Sequence, residues 1–329
     1  MIIANLAVRE RWAWYLNLAI AGGSVALVAI VGLGGLLSAL AGGHSPAGAE
    51  ILLISAALAA PILFSRPRRA LASVLPIDPA SPLTILSLVA VALIVGLQAN
   101  YQASNDALAA VSRSPQLQPI DVVAQEIPML LIAVFAVGLF TRRSPRDVLV
   151  RLGIVRPAPW QVFAALAVAG LFFAVSQGAD SLQQALFPEL SRRLNAATSH
   201  YYAGIGGWAG IGAIALAPGI AEESLFRGAL QPRIGIVLAA IAFTAVHTQY
   251  AVTLDTLLVF TLGCGLGLVR SRLNTTSSMT THAGYNALAG VGIATFLLPW
   301  AIAAEAILIA LAAGLWWLAR RPRTQAEVS

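Results

Sequence analysis

Apolar residues in this chain come in long, almost uncharged runs separated by short polar stretches. Ten runs stand out: Trp12–Ala41, Ala49–Phe64, Leu83–Ala99, Val122–Thr141, Trp160–Ser176, Gly204–Ala221 continuing towards Leu230, Ile234–Tyr250, Leu254–Val269, Met279–Leu298 and Trp300–Ala319. Crossing a bilayer takes about 20 apolar residues in a helix, and most of these runs approach that length. The pattern predicts an all-α, polytopic transmembrane bundle of about ten helices. Between motifs that lie close together the chain must turn tightly, and Gly228–Ile234 with Pro232 is the expected place. Internal repeats, low-complexity tracts and a glycine-rich phosphate loop are all missing from the sequence.

Composition agrees with the pattern. The 329 residues are 58% hydrophobic and 10% charged, with a mean hydropathy of +0.81, whereas soluble domains average about 25% charged. Every one of the 20 basic residues is arginine. With the N-terminus in the cytoplasm, 17 arginines fall inside and only Arg113, Arg192 and Arg193 outside. That bias is what cytoplasmic loops carry, and it places both termini inside. A pI of 10.2 therefore reflects topology, and nucleic acid is not expected as a partner. The single cysteine, Cys264, rules out an intramolecular disulfide and a cysteine-based zinc cluster. The first apolar run is too long for a signal peptide and reads as a retained helix.

Polar stretches suggest the organisation. Asn100–Gln118 and Gly178–Ala203 read as solvated external loops. The segment from Arg142 to Asp147 opens a cytoplasmic linker, residues 142–158, between an N-terminal transmembrane half (1–141) and a C-terminal half (159–329). Gly263-Cys-Gly-Leu-Gly267 reads as a close helix contact.

Against this background, Glu222, Glu223, His247, His282 and Asn286 are out of place, because ionisable groups inside a span are expensive and become functional candidates by default. The first four spans read as lacking a central charge. Glu223 and Arg227 are four apart and share a helix face, while Glu222 projects about 100° away. One glutamate is thus placed to be held ionised by arginine and its neighbour to exchange protons. Counted back from the nearest arginines, Glu222, His247 and His282 reach similar depths, about 15–21 Å from Arg233 or Arg272, in a site expected to open towards the cytoplasm. A carboxylate with imidazoles can activate water, either as general base or through bound Zn²⁺. An asparagine amide and a second histidine can donate to an oxyanion. Aspartate at the starts of spans (Asp121, Asp255) and Glu305 near the outer end of the last one need no such role, nor do His44 and His200 in loops.

Taken in order, Glu222-Glu223-x-x-x-Arg227, Phe243-x-x-x-His247 and His282-x-x-x-Asn286 resemble the motifs of the CPBP family, which includes CAAX prenyl proteases and bacteriocin-processing enzymes. The resemblance covers about residues 204–298. It implies an intramembrane endopeptidase in which Glu222 activates water together with His247, Glu223 and Arg227 support the site, and His282 and Asn286 stabilise the oxyanion. No cofactor is required on the preferred reading; zinc, held by Glu222, His247 and His282, is the alternative. The hydroxyl-rich stretch Asn274–Thr281 departs from the family's more apolar pattern and either lines a wet path or bonds back to its own helix.

The expected substrate is a peptide or protein that is membrane-associated, or is C-terminally tagged or lipidated, cut near the cytoplasmic face. The absence of lysine and the Ala/Gly/Arg-rich composition point to the plasma membrane of a bacterium. Two other functions compete: a proton-coupled transporter using the same groups as a relay, and a non-catalytic membrane immunity or scaffold protein. Oligomeric state is not legible.

Overall fold

The computed structural model describes residues 1–42 and 48–320. His44, Arg321 and Arg323, which enter the sequence reading as loop and cytoplasmic positions, lie outside the described residues. Of the described residues 83% are helical and none lies in a strand. The fold is an all-α, multi-pass membrane bundle.

The chain begins with a short helix α1 (Ile2–Leu6), followed by α2 (Arg11–Leu40) and α3 (Ala49–Ala59). A 3₁₀ turn carries α3 into α4 (Ser65–Ala72) at a 92° bend. Helices α5 (Pro82–Ser104), α6 (Ala107–Arg113), α7 (Pro119–Ala136), α8 (Pro145–Leu152), α9 (Pro159–Leu186) and α10 (Pro188–Tyr201) come next. Five of these six start with proline, which has the helical φ already set and lacks an N–H that the first turn could not use. Helix α11 (Gly207–Glu223) passes through a π-helical stretch, Ser224–Leu230, into α12 (Gln231–Ala245). The hairpin of α13 (Leu254–Arg272) and α14 (Thr275–Val291) precedes α15 (Leu298–Arg320).

Among the described residues, seven helices are long and apolar enough to cross a membrane, or eight if the bent α3–α4 pair is counted as one span. The ten runs are all present as helices, but they are grouped differently from the sequence reading. The sixth and seventh form one helical run, Gly207–Ala245, and α14 is only 17 residues long. No loop separates the first two motifs. A straight helix would hold residues 222 and 247 about 38 Å apart, yet Glu222 Oε2 and His247 Nε2 lie 3.9 Å apart. The chain doubles back at Gly235, whose φ of 83° and ψ of 174° interrupt the helix. The reversal therefore falls one residue beyond the stretch expected from sequence.

The two expected loops are also largely helical. Within them α6 and α10 pack together through Leu108, Leu194 and Ala197. Arg193 pairs with Asp106 at 2.6 Å, Leu117 N–H donates to Tyr201 O at 2.8 Å, and a His200 ring nitrogen lies 3.0 Å from Ser114 O. The apolar faces of α6 and α10 were hidden among the Ser, Gln and Asn residues that suggested solvated coil. Together these helices cap one end of the bundle. The segment read as a linker is helical as well: in α8 Ser144 and Asp147 cap each other's backbone N–H, and Gly153, at φ 75°, ends the helix.

Packing places the motif helices at the centre. Helix α11 lies against α7 and α14, α14 against α9, and α12 against α5 and α13. Gly263 permits the close approach of α13: a Cβ there would lie 3.3 Å from Ala240 Cβ and from Phe243 Cδ1. Gly235→Ala should be destabilising, because an L-residue in the left-handed region costs about 1–2 kcal/mol and the new Cβ would lie 3.0 Å from Pro76 Cγ. Thermal unfolding in detergent should show a midpoint lowered by a few °C; an unchanged midpoint would mean that the reversal does not depend on glycine.

Candidate active site

The chemistry starts from a charge that membrane burial cannot tolerate alone. Glu223, at the end of α11, is fully buried, as is Arg227 in the π-helical stretch. Their ion pair is 3.0 Å long, from Arg227 Nη1 to Glu223 Oε1. Arg227 Nη2 donates to Gly263 O at 3.1 Å, and its guanidinium stacks 4.2 Å from the centre of the Phe243 ring. The remaining valences of Glu223 are filled from α14: His282 Nδ1 lies 3.0 Å from Oε1, and Ser278 Oγ lies 2.5 Å from Oε2.

That network orients the first imidazole. With Nδ1–H donated to Glu223, His282 turns Nε2 towards Glu222 Oε2, 4.0 Å away. His247 is aimed from α12 in the same manner. Its Nδ1 bonds to Phe243 O at 2.7 Å, which assigns the N–H to that nitrogen, and Nε2 points at Glu222 Oε2 from 3.9 Å. Phe243 thus does three things at once: it stacks on Arg227, accepts from His247, and packs its ring 4.5 Å from that of His247. Glu222 is buried, and its Oε2 has no hydrogen-bond partner. A buried carboxylate oxygen between two imidazole nitrogens, each about one water's reach away, is the centre of the site.

A cavity of about 520 Å³ opens from this centre. Glu222, His247 and His282 form its floor, Asn286 and Glu126 its wall, and Tyr201, Tyr202 and Tyr250 its far end. Asn286 donates one Nδ2 hydrogen to Ile214 O at 3.0 Å. On the α7 wall the lining runs from Leu117 to Met129 and stops short of the helix end near Arg233. From its floor the cavity extends along α7 towards the α6–α10 cap.

All six candidates, Glu222, Glu223, Arg227, His247, His282 and Asn286, line this cavity or hold those that do. Three neighbours are missing from the sequence reading. Glu126 lies inside α7, so the first four spans do carry a central charge; its Oε2 is buried without a partner. The rule that singled out Glu222 could have found it. Ser278 had no such signal, since serine is common in helices, and neither had Tyr202. The hydroxyl-rich start of α14 bonds mostly to other elements. Thr275 donates to Leu152 O at 2.5 Å, Thr276 to Val155 O at 2.7 Å and Thr281 to Ala165 O at 3.0 Å, and only Thr280 bonds back to its own helix.

Residues 204–288 match the family of type II CAAX prenyl endopeptidases, Rce1-like. The match contains all three motifs and ends just after Asn286, so the resemblance drawn from those motifs holds over this segment. The Rce1-like stretch comprises α11, the π-helical stretch, α12, α13 and most of α14, while Glu126 lies outside it. No curated protein and no solved structure matches the chain.

Zinc can be tested against the donor atoms. Tetrahedral Zn²⁺ with bonds of about 2.0–2.1 Å sets its ligand atoms about 3.4 Å apart. Glu222 Oε2 stands 3.9 and 4.0 Å from the two imidazole nitrogens, and no group of three His, Cys, Asp or Glu among the described residues is placed to hold a metal ion. A water bonded at about 2.8 Å to two such atoms needs an angle near 90°, within its ordinary range. The side chains as placed fit water better than zinc.

Removing one member of the buried pair leaves the other uncompensated, at about 3–5 kcal/mol. Glu223→Gln is expected to lower the unfolding midpoint markedly, and Ser278→Ala by less, about 1–3 kcal/mol. A Glu223→Gln protein as stable as the parent would show that the Glu223 charge is not what holds α11 to α14.

Proposed function

We propose that the protein is an intramembrane endopeptidase that hydrolyses a peptide bond of a membrane-associated substrate with a tagged or lipidated C-terminus. The observation that carries this reading is the convergence of Glu222 Oε2, His247 Nε2 and His282 Nε2 within 4.0 Å on the floor of one cavity. The match of residues 204–288 to CAAX-type endopeptidases supports the reaction class.

The attacking water sits between Glu222 Oε2 and His247 Nε2. Glu222 takes its proton as general base, with the lone pair of His247 holding the second hydrogen and orienting the oxygen. As hydroxide adds to the scissile carbonyl, charge develops on the carbonyl oxygen. His282, kept protonated by Glu223 on its other nitrogen, donates from Nε2, and Asn286 donates the amide hydrogen not used by Ile214. When the C–N bond breaks, the proton on Glu222 passes to the leaving amine. Products are a carboxylic acid and an amine, and no other reactant is consumed. Glu223 and Arg227 touch neither water nor substrate; they position His282.

By the arginine bias, the end of the bundle bearing Arg142, Arg143, Arg151 and Arg233 faces the cytoplasm. The surrounding membrane is the plasma membrane of a bacterium, in keeping with the lysine-free composition.

With a farnesylated peptide and its unlipidated counterpart as probes, Glu222→Gln should lower turnover by at least about 10²-fold, the lower end of what a positioned general base contributes. Asn286→Ala should cost about 10²–10³-fold in kcat, as loss of one oxyanion donor does. Glu222→Gln should keep the parent's unfolding midpoint, Asn286→Ala should lower it modestly through loss of the bond to Ile214 O, and activity should survive chelation with no stoichiometric metal in the purified protein. Undiminished cleavage by Glu222→Gln would overturn the mechanism, and loss of activity on chelation restored by Zn²⁺ would replace water-only chemistry at this site.

A further inference from the structure

A second cavity, of about 500 Å³, lies beyond the other end of α7 from the Tyr201–Tyr202 end of the first. Four arginines line it: Arg142 and Arg143 from the turn after α7, Arg151 from α8, and Arg233 from α12. They come from three separate stretches of chain, and none is paired with a carboxylate among the described residues. Asp78, the one acid in the lining, is exposed and accepts from Ala80 N–H at 2.9 Å. Burial and mutual repulsion act together here: Arg143, Arg270 and Arg142 all repel Arg151, and Arg151, Arg143 and Arg142 repel Arg233.

What the guanidinium groups do bond is backbone carbonyl. Arg143 donates to Val137 O at 2.5 Å, Arg233 to Ala229 O and to Ala136 O (2.9 Å), and Arg151 to Gly228 O at 3.4 Å. The Arg142 guanidinium makes no hydrogen bond among the described residues. Each guanidinium carries five N–H donors, so most of the donors in this cavity are unspent. Four like charges held side by side in a partly enclosed space demand an anion, and arginine's planar fork suits phosphate oxygens in particular.

The remaining walls say where that phosphate comes from. Ala7, Val8, Trp14 and Leu83 form an apolar side at the start of α2, where Trp12 and Tyr15 are exposed. Aromatic residues clustered at a helix end mark the level of the lipid headgroups. A basic cavity flanked by an apolar wall at that level is the form that a headgroup site between spans takes.

We propose that this arginine-lined cavity binds the phosphate of an anionic membrane lipid, with the acyl chains lying along the Val8–Trp14–Leu83 wall. The bound lipid offsets part of the charge of the four guanidinium groups and ties together the α7–α8 turn, α8 and the start of α12. Because Arg233 lies two residues before the break at Gly235, the lipid braces that reversal from behind. The site itself does not depend on the peptidase reading.

The test uses the full-length protein in a zwitterionic detergent, titrated with phosphatidylglycerol, with phosphatidylcholine or with sodium phosphate. Retained lipid is read by native mass spectrometry and stability by thermal unfolding. Phosphatidylglycerol should be retained in preference to phosphatidylcholine and should raise the unfolding midpoint. An Arg142→Gln/Arg151→Gln double variant should bind it roughly 30-fold more weakly, and Arg151→Lys should retain more of the binding than Arg151→Gln. Without anionic lipid the double variant should be at least as stable as the parent, because substitution relieves repulsion; a purely structural role for these arginines gives the opposite sign. Equal retention of the two lipids, or parental affinity in the double variant, would overturn the proposal. An arginine-dependent rise in midpoint with sodium phosphate as large as that with phosphatidylglycerol would keep the phosphate site and overturn its assignment to lipid. Should the double variant not fold, loss of the lipid preference of the parent protein in high salt supports the site, and its persistence overturns it.

Discussion

A carboxylate buried among apolar helices has to be neutralised, and the architecture of the motif region follows from how Glu223 achieves this. Its partners come from two elements: Arg227 one turn further along the same chain, and His282 and Ser278 from α14. Arg227 in turn reaches Gly263 O on α13 and the Phe243 face on α12. One charge therefore binds α11, α12, α13 and α14 to one another. In a bilayer, where apolar burial between helices has little to distinguish it from contact with lipid, such a polar network is what specifies a single arrangement.

The same network sets the geometry of the candidate site at a distance. Glu223 holds the Nδ1 of His282, and so the Nε2 points at Glu222; the Phe243 carbonyl does the same for His247. Two imidazoles fixed through their far nitrogens present their near ones to a carboxylate oxygen that is left with no partner of its own. The adjacent glutamates have opposite fates because they project in different directions from one helix end: one is saturated with donors, the other open to the cavity. That division of labour between neighbouring acids is what a general base with a rigid support requires.

At the other end of the bundle the logic is reversed. Four arginines converge, none of them paired with a carboxylate among the described residues. Both regions touch the run from Gly207 to Ala245, so that charge compensation at the membrane surface and in its interior acts on one bent helical segment.

Much of this was legible in the sequence, and for a definite reason. Spans are local: a run of apolar residues declares itself whatever its neighbours do, and a glutamate or histidine inside such a run stands out. The pairing of Glu223 with Arg227, four residues apart on one helix, is equally local. Glu126 stood out by the same rule, though it was overlooked. Only the tertiary structure could decide the rest. The reversal at Gly235 is a single residue's left-handed backbone, invisible to hydropathy. The helices α6 and α10 gain their stability by packing on each other, so neither declares itself alone. The course of the cavity depends on how α7, α11 and α14 are set against one another, and the convergence of Arg142, Arg143, Arg151 and Arg233 joins residues up to 91 positions apart. Periodicity along a chain reports what each segment would bury; which partner it is buried against, and what is left open between them, is a property of the folded bundle alone.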